Sequence, residues 1–181
     1  MAESHLIVLE TTRLILRRPL LADLPDYWAL YQQPEVTRFI PDAPRSLEET
    51  REEVEWFLHG HPRRPELGLW ATIHKPSGRF AGRCGLLPWT IEGREEVEVA
   101  YTLAPEFWGQ GLASEAAQAI LEHGFGRLGL EKLICLIDPD NAASRRVAEK
   151  IGMTLEKRVE GIDGDGIPTL IYARAVTKGV I

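Results

Sequence analysis

Apolar and polar positions along the chain follow two periodicities, and the change between them falls near residue 110. Before that point, apolar residues tend to recur at every second position, which predicts strands of a half-buried sheet. Three of these strands follow one another with connections too short for a crossover helix, so an antiparallel meander is expected. The predicted strands are 12–19, 67–74, 79–89 and 95–104.

Two helices are predicted between the first of these strands and the meander. The segment LADLPDYWALYQQPE predicts a short helix capped at Asp23, with Pro25 tolerated in its first turn. In SLEETREEVEWFLHG, Ser46 and Glu49 have the spacing of a capping box, and Gly60 follows as a stop.

Helical periodicity dominates the second half of the chain. Small and apolar residues share one face from Ala113 to Leu128, and KLICLI, at 132–137, is typical of a buried strand of the parallel kind. A second helix, NAASRRVAEKIG, precedes MTLEKRVEG and IPTLIYARAV, which are predicted to pair around IDGDG. The order β-α-α-β-β-β-α-β-α-β-β predicts an α/β fold, with helices on both faces of a mixed sheet of about seven strands.

Length and charge narrow the class of protein. The chain has 181 residues, 44% of them hydrophobic, which predicts one domain over residues 1–181. With 21 basic and 27 acidic residues the net charge is −6, which argues against nucleic acid as a partner but allows a small anion held locally. There is no signal-peptide pattern and no 18-residue apolar window, so a cytoplasmic protein with no membrane partner is expected.

The two cysteines give no sign of disulfide or metal chemistry. Cys84 and Cys135 both lie in apolar, strand-like runs, and no C-x-x-C spacing or histidine pair is present. They are predicted to be reduced core residues, and no metal is expected.

The stretch WGQGLASEA, from Trp108 to Ala116, places two glycines directly before a predicted helix. A strand that runs through such a turn into a helix leaves backbone N–H groups converging at the positive end of the helix dipole, which is a geometry that binds phosphate. Gly109 and Gly111 would let the backbone approach a ligand closely. A plain tight turn is the alternative. A Rossmann motif would need glycine where Ser114 stands, and a P-loop would need Lys-Ser/Thr after the last glycine.

EVAYTLAPEFWGQGLASEA, followed by LICLIDPDNAASRRVAEKIGM, resembles the GNAT superfamily of N-acetyltransferases, and most closely its RimJ/RimL-type branch. The resemblance extends from Leu9 to Arg174. It implies a GNAT fold whose sheet splays between the fourth and fifth predicted strands, 95–104 and 132–137. It also implies acetyl-CoA as cosubstrate. The family's pyrophosphate loop falls on Trp108, Gly109, Gln110, Gly111, Leu112 and Ala113, and the backbone amides from Gly109 to Ser114 would hold the pyrophosphate.

The chemistry of acetyl transfer suggests roles for four residues. A protonated amine must lose a proton, and Glu96 and Glu98 project from one side of the fourth predicted strand. Glu98 is the expected base because it lies nearer the splay that the resemblance implies, at a position often acidic in this branch, with a solvated strand face as the alternative. The resemblance implies a main-chain N–H around Tyr101 for the oxyanion, which a bulge would free from the ladder. It also implies that Asn141 binds the pantetheine amide and that Ser144 lies near the sulfur as acid or hydrogen-bond donor. The alternatives are an ordinary N-cap for Asn141 and a bond from Ser144 to a backbone carbonyl.

Together with the resemblance, these observations predict an acetyl-CoA-dependent N-acetyltransferase. Direct transfer in a ternary complex is expected, because neither cysteine has a neighbouring histidine that would activate it as a nucleophile. The acceptor is expected to be a primary amine, either a protein N-terminus or a small molecule, and the chain a monomer or homodimer. A non-catalytic acyl-CoA sensor of the same fold is the rival, and a nicotinamide-dependent oxidoreductase is a further alternative.

Overall fold

The computed structural model describes residues 6–162 and 166–176. Within them, eight strands form one sheet: β1 (Ile7–Glu10), β2 (Leu14–Arg17), β3 (Gly68–His74), β4 (Arg79–Ile91), β5 (Arg94–Leu103), β6 (Lys132–Ile137), β7 (Thr154–Glu160) and β8 (Pro168–Ala175). The helices are α1 (Leu24–Tyr31), α2 (Pro34–Thr37), α3 (Leu47–Phe57), α4 (Leu112–Gly126) and α5 (Ala142–Lys150).

The spatial order of the strands is β1-β2-β3-β4-β5-β6-β8-β7, and every neighbouring pair is antiparallel except β5–β6. The α/β class and the β3–β4–β5 meander are therefore confirmed. The sheet has eight strands where about seven were expected, and the additional strand is β1, which was not predicted. Its four residues are too few to show alternation, and they become a strand by pairing with β2, Ile7 opposite Arg17.

The predicted hairpin at the end of the chain is also present. β7 and β8 pair from Thr154 opposite Ala173 to Glu160 opposite Pro168. Its expected turn, IDGDG, falls partly on residues 163–165, which lie outside the described residues. Among the residues that are described, no helix is both long enough and apolar enough to span a bilayer.

The parallel pair β5–β6 separates almost at once. β4 and β5 remain in register over ten successive pairs, from Gly82 opposite Leu103 to Ile91 opposite Arg94. In contrast, β5 and β6 share a single pair, Glu98 with Ile134. Beyond that pair the two strands diverge, and this divergence forms the cleft described below.

Helices cover both faces of the sheet. On one face, α4 buries Ala116, Ala117 and Ile120 completely against the strands. On the other, α1 and α3 pack together through Tyr27 and Val54. This second group of helices forms the side of the cleft opposite the glycine turn.

Two of the predicted helix starts are correct in place but differ in their side-chain contacts. Asp23 is the N-cap residue of α1, yet its carboxylate makes no cap bond. Instead it accepts two 2.7 Å hydrogen bonds from the Arg17 guanidinium and one from the Leu20 amide. At α3, Ser46 accepts from the Glu49 amide as expected, but Glu49 accepts from the Arg45 amide. Only half of the capping box is formed.

The Asp23–Arg17 pair generates a stability prediction. Both side chains are largely buried, so Asp23→Ala removes the carboxylate that the guanidinium faces. We expect the free energy of unfolding to fall by about 3 kcal/mol, as for other buried ion pairs that lose one partner. Urea denaturation followed by circular dichroism measures the change. Asp26→Ala is the control, because Asp26 is exposed in the first turn of the same helix. Equal losses in the two variants would contradict the prediction.

Candidate active site

A cleft of about 1270 Å³ opens where β5 and β6 diverge. Its walls are the turn before α4, the second half of β5, the end of β6, the start of α5 and the segment from α2 to α3. Ten of the eleven site residues predicted from the sequence line this cleft: Glu98, Tyr101, Trp108, Gly109, Gly111, Leu112, Ala113, Ser114, Asn141 and Ser144. Gln110 is not among the lining residues, because its side-chain amide turns back and donates to the Glu106 carbonyl.

The turn before α4 presents open backbone donors. Gly109 and Gly111 both have left-handed backbones, with φ of 72° and 76°. Gly111 is the N-cap of α4, and no side chain caps this helix. Among the described residues, the amides of 109–114 have no hydrogen-bond acceptor. Six consecutive N–H groups at the positive end of a fifteen-residue helix are suited to hold an anion without any cationic side chain.

An anchor from the first hairpin holds this turn in place. Glu115, in the first turn of α4, accepts hydrogen bonds from the Thr11 hydroxyl and from the Arg13 amide and guanidinium. The Arg13 guanidinium also donates to the Gln110 carbonyl at 3.0 Å. Burial opposes ionisation of Glu115, but the hydrogen bonds from Thr11 and Arg13 outweigh it and lower the pKa of this carboxyl. The turn is therefore held by Arg13 and Glu115, while Gly109 and Gly111 line the cleft.

The second half of β5 supplies main-chain groups to the cleft. The Cys135 thiol lies 3.3 Å from the Val99 carbonyl, which identifies the edge of β5 that faces β6. Tyr101, two residues further on, presents its N–H at the same edge, where β6 has already diverged. The expected bulge is absent, because the β4–β5 register is unbroken. The splay, not a bulge, leaves this edge open.

Glu98 lines the cleft at the point where β5 and β6 diverge, in the single pair that the two strands share. Trp89 Nε1 donates to its carboxylate at 2.7 Å. Burial raises the pKa of this carboxyl to about 7, against the lowering effects of the Trp89 hydrogen bond, the Arg83 charge and the Leu136 amide. A carboxyl with such a pKa can accept and release a proton near neutral pH.

The start of α5 brings two of the predicted residues next to Tyr101. Asn141 Oδ1 accepts from the Ser144 amide at 3.0 Å, so Asn141 is an N-cap, and its side-chain NH₂ makes no hydrogen bond within the described chain. The Tyr101 hydroxyl donates to the Ser144 carbonyl at 2.9 Å. Burial raises the pKa of Tyr101 well above its ordinary value. The phenol therefore stays protonated beside the Ser144 backbone.

The cysteines offer no thiolate nucleophile near neutral pH. Both are free and buried. Burial raises the pKa of Cys84 to about 11, and it raises the pKa of Cys135, which lines the cleft, still further. A thiol that stays protonated is a poor nucleophile.

The profile of the acetyltransferase (GNAT) domain matches residues 13–154. The chain belongs to the GNAT acetyltransferase family. By this membership it is an N-acetyltransferase, and the suspected family is confirmed. Bacillus subtilis YkkB, an uncharacterised protein, is 40% identical over 134 residues, which are 72% of this chain and 74% of YkkB.

Solved GNAT structures share the fold over almost the whole chain. An acetyltransferase from Salmonella typhimurium that modifies the N-terminal serine of ribosomal protein L7/L12 is 25% identical, with a TM-score of 0.76 over 94% of this chain and 99% of that one. RimL, an L7/L12 α-N-protein acetyltransferase in complex with coenzyme A, is 24% identical, with a TM-score of 0.76 over 94% and 98% of the two chains. At that identity the second comparison shows the fold alone.

The GNAT cleft also contains charged residues that the sequence reasoning missed. Arg83, on β4, and Glu53, on α3, line the same side of the cleft, and their side chains are 9% and 17% exposed. One signal was available for Arg83, which is a lone charge inside the apolar run FAGRCGLL. No local signal pointed to the Arg13–Glu115 anchor, whose partners are 102 residues apart.

The raised pKa of Glu98 predicts a pH-dependent stability. The folded pKa of about 7 exceeds the ordinary 4.5, so folding takes up a proton between these values. The contribution of the neutral Glu98 carboxyl to the free energy of unfolding is fully present below pH 4.5, and it is lost as the pH rises through 7. We therefore expect Glu98→Gln to be more stable than the wild type at pH 8, on the order of 3 kcal/mol, and nearly equal to it at pH 4.5.

Thermal and urea unfolding at both pH values measures this difference. Glu95→Gln is the matched control, because Glu95 is exposed on the same strand. Its difference from the wild type at each pH gives the baseline for removing an exposed carboxylate from β5. A Glu98→Gln variant that is less stable than the wild type at pH 8 would show that the ionised carboxylate is favourably held.

Proposed function

We propose that this GNAT enzyme transfers the acetyl group of acetyl-CoA directly to a primary amine, either a protein N-terminus or a small molecule, in a ternary complex. One observation supports this most strongly. Residues 109 and 111–114, whose amides have no acceptor among the described residues, line the same cleft as Glu98, so an anion cradle and a base would share one site. The Salmonella relative that acts on an N-terminal serine supports a peptide N-terminus as one acceptor.

The cradle suits the diphosphate of coenzyme A. A diphosphate presents several acceptor oxygens, and the six N–H groups are unfilled donors at a helix N-terminus. Gly109 leaves the approach open, since nothing lies within 4 Å of a Cβ built on it, whereas Arg13 Nη2 lies 3.7 Å from a Cβ built on Gly111. The free NH₂ of Asn141 is a donor for an amide carbonyl of the pantetheine arm, further along the cleft.

Glu98 is the proposed base. The ammonium form of the acceptor must lose a proton before its nitrogen can attack the acetyl carbon, and a carboxylate with a pKa of about 7 can take that proton at neutral pH. The tetrahedral oxyanion then needs a donor. The Tyr101 N–H at the open edge of β5 is proposed to fill that role.

Collapse of the tetrahedral intermediate breaks the C–S bond and leaves a thiolate that takes up one proton. The Tyr101 hydroxyl and the Ser144 hydroxyl are the two proposed donors. Both residues line the cleft, and the Tyr101 phenol is already held at the first turn of α5. Direct transfer is supported by the buried, protonated state of Cys135, the cysteine that lines the cleft.

The cradle is tested by Gly109→Asp. The new side chain carries a negative charge toward the phosphates, and we expect coenzyme A to bind at least about tenfold more weakly. Gly129→Asp is the matched control, since Gly129 has a similar φ of 66° and equally open surroundings, but follows the other end of α4. Both variants should lose similar stability. If calorimetry finds equal affinities for coenzyme A in Gly109→Asp and Gly129→Asp, the diphosphate does not bind at the turn before α4.

The base is tested by the pH dependence of kcat. We expect the wild-type kcat to rise with pH through about 7, because Glu98 accepts a proton only when ionised. Glu98→Gln should lower kcat by about 100-fold or more and abolish that rise. Glu96→Gln is the control, because Glu96 lies on the same face of β5 but pairs with Lys132. If the rise of kcat with pH persists in Glu98→Gln, it reports deprotonation of the acceptor amine and not of Glu98.

Thiol release from acetyl-CoA with a panel of amines separates this proposal from its rivals. Tight binding of coenzyme A without release for any amine would indicate a sensor. Binding of NADH in place of coenzyme A would indicate an oxidoreductase.

A further inference from the structure

A buried guanidinium in the cleft lacks a hydrogen-bond acceptor among the described residues. Arg83 is 7% exposed and lines the cleft beneath α1 and α3. Its Nε lies 3.6 Å from Glu53 Oε1, longer than the roughly 2.7–2.9 Å of a charged hydrogen bond, and is sealed from solvent without a partner. The side chain packs over the Tyr31 ring, 5.4 Å from its centroid.

The groups around Arg83 leave most of its donors unused. The Tyr31 hydroxyl already donates to Glu53 Oε1, the oxygen that faces Arg83. Asp42 also lines the cleft and is exposed. Glu53 therefore balances the charge of Arg83 without accepting a hydrogen bond from its Nε, and burial of an unsatisfied charged donor is unfavourable. A ligand that brings acceptor oxygens would complete the site.

Arg83 and Glu98 project from the same face of the sheet. Arg83 pairs with Thr102, and Glu98 pairs with Leu87, four residues further along β4. Between them on this face lie Gly85 and Ala100, which have almost no side chain. The Arg83 charge is close enough to act on the Glu98 carboxyl and lower its pKa. One small molecule or peptide end can therefore reach both groups.

We propose that Arg83 binds a carboxylate of the acceptor, so that this enzyme prefers amines that carry a carboxylate a few bonds from the reacting nitrogen. A guanidinium offers a planar fork that matches the two oxygens of a carboxylate, and the Arg83 guanidinium packs over the Tyr31 ring. This inference rests on the proposed acetyl transfer. The carboxylate can come from a free amino acid or from an acidic side chain near a peptide N-terminus.

The experiment compares matched acceptors by kcat/KM for thiol release from acetyl-CoA. Glycine, β-alanine and γ-aminobutyrate are each compared with their amides, and the C-terminally amidated dipeptides Gly-Asp and Gly-Asn form the peptide arm. In at least one pair we expect the carboxylate to be preferred by about 10- to 100-fold in the wild type, the size of hydrogen bonds to a charged group. The pair that shows it distinguishes the two sources and gives the spacing between amine and carboxylate.

Four variants assign that preference to Arg83. Arg83→Gln should bring the ratio near one, and Arg83→Lys should keep part of it as a point charge. Glu53→Gln should increase the ratio, because it removes the competing negative charge, whereas a purely structural Arg83–Glu53 pair would only lose stability. Arg51→Gln removes one positive charge from the exposed side of α3 and should leave the ratio unchanged.

The outcomes separate this inference from the proposed function. Turnover of amines with no carboxylate preference in any pair, or a preference that survives Arg83→Gln, would overturn the inference and leave acetyl transfer standing. Weaker binding of coenzyme A by Arg83→Gln would overturn it too, since Arg83 would then contact the cosubstrate. If no amine is acetylated, the proposed function fails, and calorimetry of the same pairs with the coenzyme A-bound protein decides whether Arg83 binds carboxylates.

Discussion

The site depends on the separation of two parallel strands after one residue pair. β5 and β6 meet at Glu98 and Ile134 and then diverge. Three consequences follow from this. The edge of β5 beyond Val99 stays open for a ligand, the carboxyl of Glu98 is buried at the vertex, and the Tyr101 hydroxyl can reach across to the first turn of α5. A fully paired β5–β6 ladder would fill the cleft with backbone hydrogen bonds. The unbroken β4–β5 register holds β5 in place while its other edge is left free.

The proposed anion site does not depend on the overall charge of the chain. The overall charge is −6, yet the proposed diphosphate site uses neutral backbone N–H groups and a helix dipole. The nearby cation Arg13 is engaged by Glu115 and by the Gln110 carbonyl of the turn. Its role is to fix the turn. Among the described residues, Arg83 is the one deeply buried cation that lines the cleft, and it lies on the side of α1 and α3, where the acceptor is proposed to bind.

Short patterns in the sequence predicted the elements of the fold whose structure depends on neighbouring residues in the chain. Period-two alternation identified the meander, and the apolar run at 132–137 identified β6 with its observed bounds. The glycine turn was found because two glycines stand directly before a predicted helix, and both have the positive φ that glycine adopts readily. What depends on packing was not predicted. The β1 strand exists only through its pairing with β2. Likewise, the pKa of Glu98 is set by burial in a cleft whose shape no single segment encodes.

The two charged groups on the acceptor side of the cleft are coupled. Burial raises the pKa of Glu98, and the positive charge of Arg83 partly opposes that rise. A carboxylate bound to Arg83 would neutralise this charge, so the pKa of Glu98 would increase when such an acceptor is in place. A stronger base would then face the amine only while its proper substrate is bound. In the same step the ammonium of the acceptor would pull the pKa of Glu98 down again, until the proton has been transferred. The carboxylate and the ammonium of the acceptor would thus both change the pKa of Glu98, the base that deprotonates the amine. An amine without a carboxylate would lose its contact with Arg83 and would also meet a weaker base.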